Sequence, residues 1–224
     1  MEAQKEKVVL FWSGGKDCAL TLYKLKKELN YDVVCILTTL NEETNHVHFH
    51  GLPDKILVEQ SKLLDIPLQR VYLSENPTNE EYKKEVGKIL AMFAKKGIRK
   101  VAFGDINQQE IRNFKDQFLA ELEMEGIYPL WGLDTLQVAK EFMSTGHKAV
   151  VTSVLLDALD GSYLAKEFNV NFIESLPQNV DPCGENGEFH TFCVYGPYFK
   201  MRVPFSKAIA ITEGPYLVSL IKEP

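Results

Sequence analysis

Val8-Val9-Leu10-Phe11-Trp12, running straight into Ser13-Gly14-Gly15-Lys16-Asp17-Cys18, is the stretch whose reading decides the fold. Five consecutive apolar residues fit a strand covered on both faces. The two glycines allow a tight turn and a close backbone approach to a ligand. Behind them Cys18, Leu22, Leu25 and Leu29 recur at helical spacing, so the turn opens a helix. A helix start offers N–H groups without helical partners and the positive end of the helix dipole. Together these predict an anion pocket built from backbone. Lys16 adds a mobile positive charge, and Asp17 is the carboxylate a phosphate site uses to hold magnesium. The plainer reading is a tight turn with a capping serine. A double glycine with a cation and an anion in one turn, after the first strand, argues for phosphate.

The spacing is neither that of a Walker A loop nor that of a dinucleotide fingerprint. Composition sets further bounds. The 224 residues allow one large domain or two small ones, and 45% hydrophobic with 25% charged residues fits a globular chain with ample core. A net charge of -6 and a pI near 5.5 make broad nucleic-acid binding a poor expectation. No apolar run is long enough to span a bilayer. The charged N-terminus, residues 1–7, is not a signal peptide. The cysteines at 18, 35, 183 and 193 form no CxxC pair, which fits reduced thiols and a cytoplasmic location. The sequence carries no signal of oligomeric state.

Strand and helix patterns alternate along the chain. Strands are expected at Val8–Trp12, Asp32–Thr39, Leu68–Leu73, Lys100–Asp105 and near Ile127–Leu130. Helices are expected after Asp17, from Pro53 to about Leu64, along Tyr82, Val86, Ile89 and Phe93 with Gly97 as the stop, and along Ile111, Phe114, Phe118 and Leu122. This is βα winding and predicts an α/β chain with a mostly parallel, doubly wound sheet over residues 1–130. A smaller α+β domain is expected over 131–224. It would hold a helix at Asp134–Thr145 with Asp134 as N-cap, a strand at Lys148–Val154, and extended segments at Phe189–Tyr195, Met201–Phe205, Ala208–Thr212 and Tyr216–Ile221. Ligands of doubly wound sheets sit beyond the carboxyl ends of the strands. Ser13–Asp17, Thr38-Thr39 and Gly104-Asp105 all fall there.

A second unusual run is Asp181-Pro182-Cys183-Gly184-Glu185-Asn186-Gly187-Glu188-Phe189-His190-Thr191-Phe192. A plain hairpin needs the glycines but not the acids. Glu185 and Glu188 beside a turn could orient an amine or act as a general base; a solvated charged turn is the bland alternative.

The order Ser-Gly-Gly-x-Asp after a first strand resembles the PP-loop of the ATP pyrophosphatases, which split ATP between the α and β phosphates. With Gly-Glu-Asn-Gly-Glu-Phe-His-Thr-Phe, the chain resembles the diphthine–ammonia ligase family of the adenine-nucleotide alpha-hydrolase-like superfamily. The likeness touches Phe103-Gly104-Asp105-Ile106, Pro129-Leu130-Trp131-Gly132 and the loop ending His50-Gly51, and covers essentially the whole chain. It implies a Rossmann-like HUP domain, ATP, Mg2+, and conversion of a carboxylate to an amide with ammonia. The family's substrate is a modified histidine on translation elongation factor two.

The resemblance gives Ser13, Gly14, Gly15, Lys16 and Asp17 ATP-binding roles, with Asp17 as the metal ligand. Lys16, Asp17, Glu185 and Glu188 are the expected catalytic set. Thr38, Thr39, Gly104 and Asp105 complete the expected nucleotide side, and His50, Gly51, Trp131, Gly184 and His190 the substrate side. Two positions depart from the family pattern: Cys18 replaces a serine and Asn186 a glycine.

Other readings compete. His46, His48 and His50 alternate, a zinc-like pattern in a strand, although a polar substrate loop explains them as well. Cys18 sits in a first helical turn, where a thiol's pKa tends to fall; this permits a tRNA-thiolating reading, against which it lies on the apolar stripe. Asp105 could bind a second magnesium or a ribose, or cap the fourth helix. Trp131 could stack on adenine or simply pack. A non-catalytic ATP sensor keeps the same loop.

Overall fold

A computed structural model describes residues 5–47 and 50–222; His48 lies outside them. The first sheet contains β1 (Lys7–Phe11), β2 (Asp32–Asn41), β3 (Leu68–Leu73), β4 (Lys100–Ala102) and β5 (Glu125–Ile127). All its pairings are parallel, in the order β3-β2-β1-β4-β5. Helices α1 (Lys16–Lys27), α2 (Asp54–Leu64), α3 (Asn79–Lys95) and α4 (Gln109–Glu121) connect the strands. The expected Rossmann-like α/β winding is present. β1 alternates sides as a pleat must: Val8 and Leu10, with Trp12 beyond the strand, join one core, and Val9 joins the other. The second core packs the sheet against α3 and α4 through Val86, Leu90, Phe118 and Leu119.

The second sheet is antiparallel, in the order β7-β6-β9-β8. It is formed by β6 (Lys148–Leu155), β7 (Phe189–Tyr195), β8 (Ser206–Glu213) and β9 (Tyr216–Lys222). Helix α5 (Thr135–Ser144) precedes it, with Asp134 accepting from Gln137 N at 2.9 Å as its cap. Phe189, Phe192 and Val194 share one core with Leu20, Leu22 and Leu25 of α1. The two sheets are therefore packed through α1. Among the described residues no helix is long and apolar enough to cross a membrane, and all four cysteines are free and buried.

Three sequence expectations need correction. β4 ends at Ala102, not Asp105, because Gly104 presses onto the first turn of α1. A Cβ there would lie 3.1 Å from Asp17 C and 3.2 Å from Cys18 N. Residues 201–205 form no strand; Val203 N reaches Val194 O at 2.8 Å, but Pro204 has no N–H with which to continue a ladder. Helix α6 (Val170–Ser175) lies in the stretch after about Phe168, where the sequence pattern turns to short extended segments. Its six residues are too few to show a period, and its start rests on Asn169, which accepts from Phe172 N at 3.0 Å.

Candidate active site

In this strand order β1 and β4 are neighbours whose connections leave in opposite directions, so a crevice opens beyond their carboxyl ends. A cavity of about 360 Å³ lies there, within the size range of small-molecule sites. The end of β1 contributes Ser13, β2 gives Thr38 and Thr39, α1 gives Asp17, and the segment after β4 gives Gly104 and Asp105. His50 comes from the loop before α2. Gly184, Glu185 and His190 come from the second motif. Residues expected from two distant motifs thus line one cavity.

The glycine turn is fixed on every side. Gly14 has φ +83°, and a Cβ there would lie 2.8 Å from Leu57 and 2.9 Å from Leu52, so the turn admits only glycine without strain. Gly14 O accepts from Cys193 N of β7 at 2.8 Å and from the Gln60 amide at 3.1 Å. Lys16 N donates to Thr191 Oγ1 at 3.1 Å, and Gly15 N to Ser13 Oγ at 3.3 Å. Two donors of the expected anion pocket therefore have internal partners. The N–H groups of Asp17 and Cys18 fall in the first helical turn, where no helical carbonyl precedes them.

Lys16 is not mobile. It is 3% exposed, and its ammonium bonds both Asp17 oxygens, at 2.7 and 3.0 Å, and the Cys183 carbonyl. The rings of Phe168 and Phe189 lie 5.7 and 5.8 Å from Nζ. Burial pulls its pKa down, but Asp17, with Cys183 and Glu185 adding to it, outweighs burial and the net direction is up, so Lys16 stays charged. Burial pushes the Asp17 carboxyl up against the pull of Lys16. The Asp17 side chain remains 30% exposed and faces the cavity.

The two motif glutamates do different things. Glu185 Oε1 accepts from Ile106 N and Asn107 N, each at 3.1 Å, and its carbonyl accepts from Gln108 Nε2 at 2.8 Å. It ties the second motif to the segment before α4 and still lines the cavity. Burial, and the Asp17 charge against those N–H groups, raise its pKa. Glu188 turns inward. Its carboxylate accepts from Asp181 N at 3.0 Å, Asn186 N at 3.0 Å and Asn186 Nδ2 at 2.9 Å, and it is not on the cavity wall. Burial opposes ionisation, but these hydrogen bonds outweigh it and hold the pKa below the usual carboxylate value. Glu188 braces its own loop.

The remaining candidates divide. Asp105 faces the cavity with its carboxylate paired to Lys115 at 2.7 and 2.8 Å, and the N-cap of α4 is Gln108, which makes no side-chain cap bond. Gly51 lies in a separate cleft against Val218. Trp131 lines another recess, its ring 4.5 Å from the Arg112 guanidinium, so it is placed for packing. The Cys18 thiol is buried, donates to Gly15 O at 3.1 Å, and is pushed by burial up to about 11. Its expected acidity at a helix start is overridden by desolvation. His46 Nδ1 lies 2.6 Å from Thr44 O. Among the described residues no group of three or more His, Cys, Asp or Glu side chains is placed to hold a metal ion.

Sequence reasoning missed Gln60 and Thr191. Gln60, fully buried on α2, accepts from Trp12 Nε1 at 2.8 Å and donates to Gly14 O and to Cys193 O. It joins β1, the glycine turn and β7. The available signal was a glutamine on an apolar stripe with Ile56, Leu57, Leu63 and Leu64. Thr191 carried none, since its partner Lys16 is 175 residues away.

A parallel α/β sheet with a glycine turn at its switch point, closed by an antiparallel sheet carrying the second motif, defines a Rossmann-like protein with a composite cavity at that switch point. Residues 6–125 match the diphthamide synthase N-terminal domain and residues 134–215 match the diphthamide synthase C-terminal domain. The chain belongs to the diphthamide synthase family, a family of enzymes. Among solved structures it is similar to a predicted subunit of tRNA methyltransferase from Methanocaldococcus jannaschii, at 16% identity and TM-score 0.43, covering 84% of this chain and 96% of that one. Comparison with curated proteins finds no match.

Proposed function

We propose that the protein is an AMP-forming ligase that converts a substrate carboxylate to an amide with ATP and ammonia, the carboxylate being that of diphthine on a translation elongation factor. The observation that carries this reading is the convergence of Asp17 and Glu185 on one cavity. A nucleotide site alone needs the first motif and not the second. Thr38 Oγ1, on the same wall, is buried without a hydrogen-bond partner among the described residues, as suits a contact that a bound nucleotide completes. The donor set also fits magnesium, which takes one or two carboxylates and fills its remaining positions with water and phosphate. Asp17 would hold it, and when bound it supplies charge neutralisation to the phosphates.

In this mechanism ATP is a substrate with its phosphates at the glycine turn. A carboxylate oxygen attacks the α phosphorus and pyrophosphate leaves. The buried charge of Lys16 and the first-turn N–H groups stabilise the negative charge that builds on the phosphates. Ammonia then attacks the acyl carbon and AMP leaves. Glu185, fixed by two backbone N–H groups, orients the incoming nitrogen.

The test is product identity. Incubation with ATP, magnesium, ammonium and an elongation factor bearing diphthine yields AMP and pyrophosphate in step with amide. ADP as product contradicts the reading, and tight ATP binding without turnover leaves a sensor.

A further inference from the structure

Two histidines sit where the glycine turn meets the second motif, and the mechanism above gives them no task. The rings of His50 and His190 are 4.5 Å apart and both line the cavity. His50 lies against the glycine turn: a Cβ on Gly15 would be 3.4 Å from His50 Cε1 and 3.0 Å from Thr191 O. His50 Nδ1 is buried and has no hydrogen-bond partner among the described residues. The Thr191 backbone beside the ring favours its protonated form; with the neutral ring's proton on Nε2, the unpartnered Nδ1 carries the lone pair.

Charges around the pair keep that lone pair free. Burial, with Lys16 adding to it, lowers His50 to about 4 against the Thr191 contact. Burial, then His50 and Lys16, lower His190 further. The carboxylates nearby have other partners: Asp17 holds Lys16, and Glu185 holds the N–H groups of Ile106 and Asn107. Anionic phosphate on the adjoining turn would offset the Lys16 field and raise the basicity of His50.

We propose that His50 is the proton acceptor of the amination step, an assignment that rests on the ligase reading above. The nitrogen lone pair attacks the acyl carbon and the C–N bond forms. The C–O bond to AMP breaks, with its electron pair leaving on AMP. The proton lost by the nitrogen passes to His50 Nδ1 and from there to water.

The two half-reactions separate this assignment from the ligase reading. With diphthine-bearing elongation factor as the carboxylate, His50→Gln and His50→Asn are compared with the unmodified protein. ATP–pyrophosphate exchange stays within about threefold while amide formation from ammonium falls about a hundredfold, the lower end of general-base effects. Amide formation undiminished with exchange intact overturns the role of His50 alone. Equal loss of both in a folded variant also overturns it, since His50 would then serve the adenylation site. No exchange in the unmodified protein overturns both readings. Should neither variant fold, nitrogen NMR of the unmodified protein decides: the assignment requires His50 neutral near pH 6 with its proton on Nε2, and a proton on Nδ1 overturns it.

Discussion

A lysine with 3% of its surface exposed needs a countercharge, and Asp17 supplies it at 2.7 Å. Removing one partner of a buried pair strands the other. Asp17→Asn therefore lowers stability as well as activity. With the Asp17 side chain 30% exposed, the loss is on the order of 2 kcal/mol, below the range for fully buried pairs. Urea unfolding measures it, and Lys16→Met combined with Asp17→Asn recovers most of it. An unchanged midpoint for Asp17→Asn contradicts the pairing. Residue identities at this site were legible because motif chemistry is local: Ser13, Asp17 and Glu185 all reach the cavity. Their partners were not legible. Lys16 reads as a mobile cation until the Cys183 carbonyl, 167 residues away, is seen to hold it.

At the scale of elements, the strands whose pattern is purely local were readable: Leu68–Leu73 and Phe189–Tyr195 stand as expected. β4 was not, because its end is set by Gly104 meeting α1, a contact no periodicity encodes. The joint between the sheets is likewise tertiary. Gln60 of α2 satisfies Trp12, Gly14 and Cys193 at once. Gln60→Leu leaves buried polar groups unpaired, each costing about 1–3 kcal/mol, and a drop in thermal midpoint with a mobile Trp12 signal is the expected result. Gly184 fixes the other motif. It has φ +68°, and a Cβ would come within 2.6 Å of Phe189 O, so Gly184→Ala costs about 2 kcal/mol or more. Equal unfolding midpoints for that variant and the original chain would show that the loop can rearrange freely.

Over the whole molecule, buried histidines set the acid limit. His50 and His147 are each held near about 4 by burial, against about 6.5 in an unfolded chain. As pH falls below that unfolded value, the unfolded state takes up protons that the folded state refuses. The stability from these groups is complete above about pH 6.5 and declines toward about pH 4, by up to about 1.4 kcal/mol per pH unit for each histidine. Unfolding midpoints taken across that interval should fall steadily, and His147→Gln should flatten the slope. A level profile contradicts neutral burial. The same packing makes the cavity composite: the glycine turn is bonded to β7 through Gly14 and Lys16, and Glu185 is bonded to the segment before α4.

The central claim is that a substrate carboxylate is adenylated in this cavity. Elongation factor carrying diphthine with ¹⁸O in its carboxylate, turned over with ATP, magnesium and ammonium, tests it by mass spectrometry of the released nucleotide. The account predicts AMP carrying one ¹⁸O from the carboxylate. Unlabelled AMP, or ADP in its place, would contradict it.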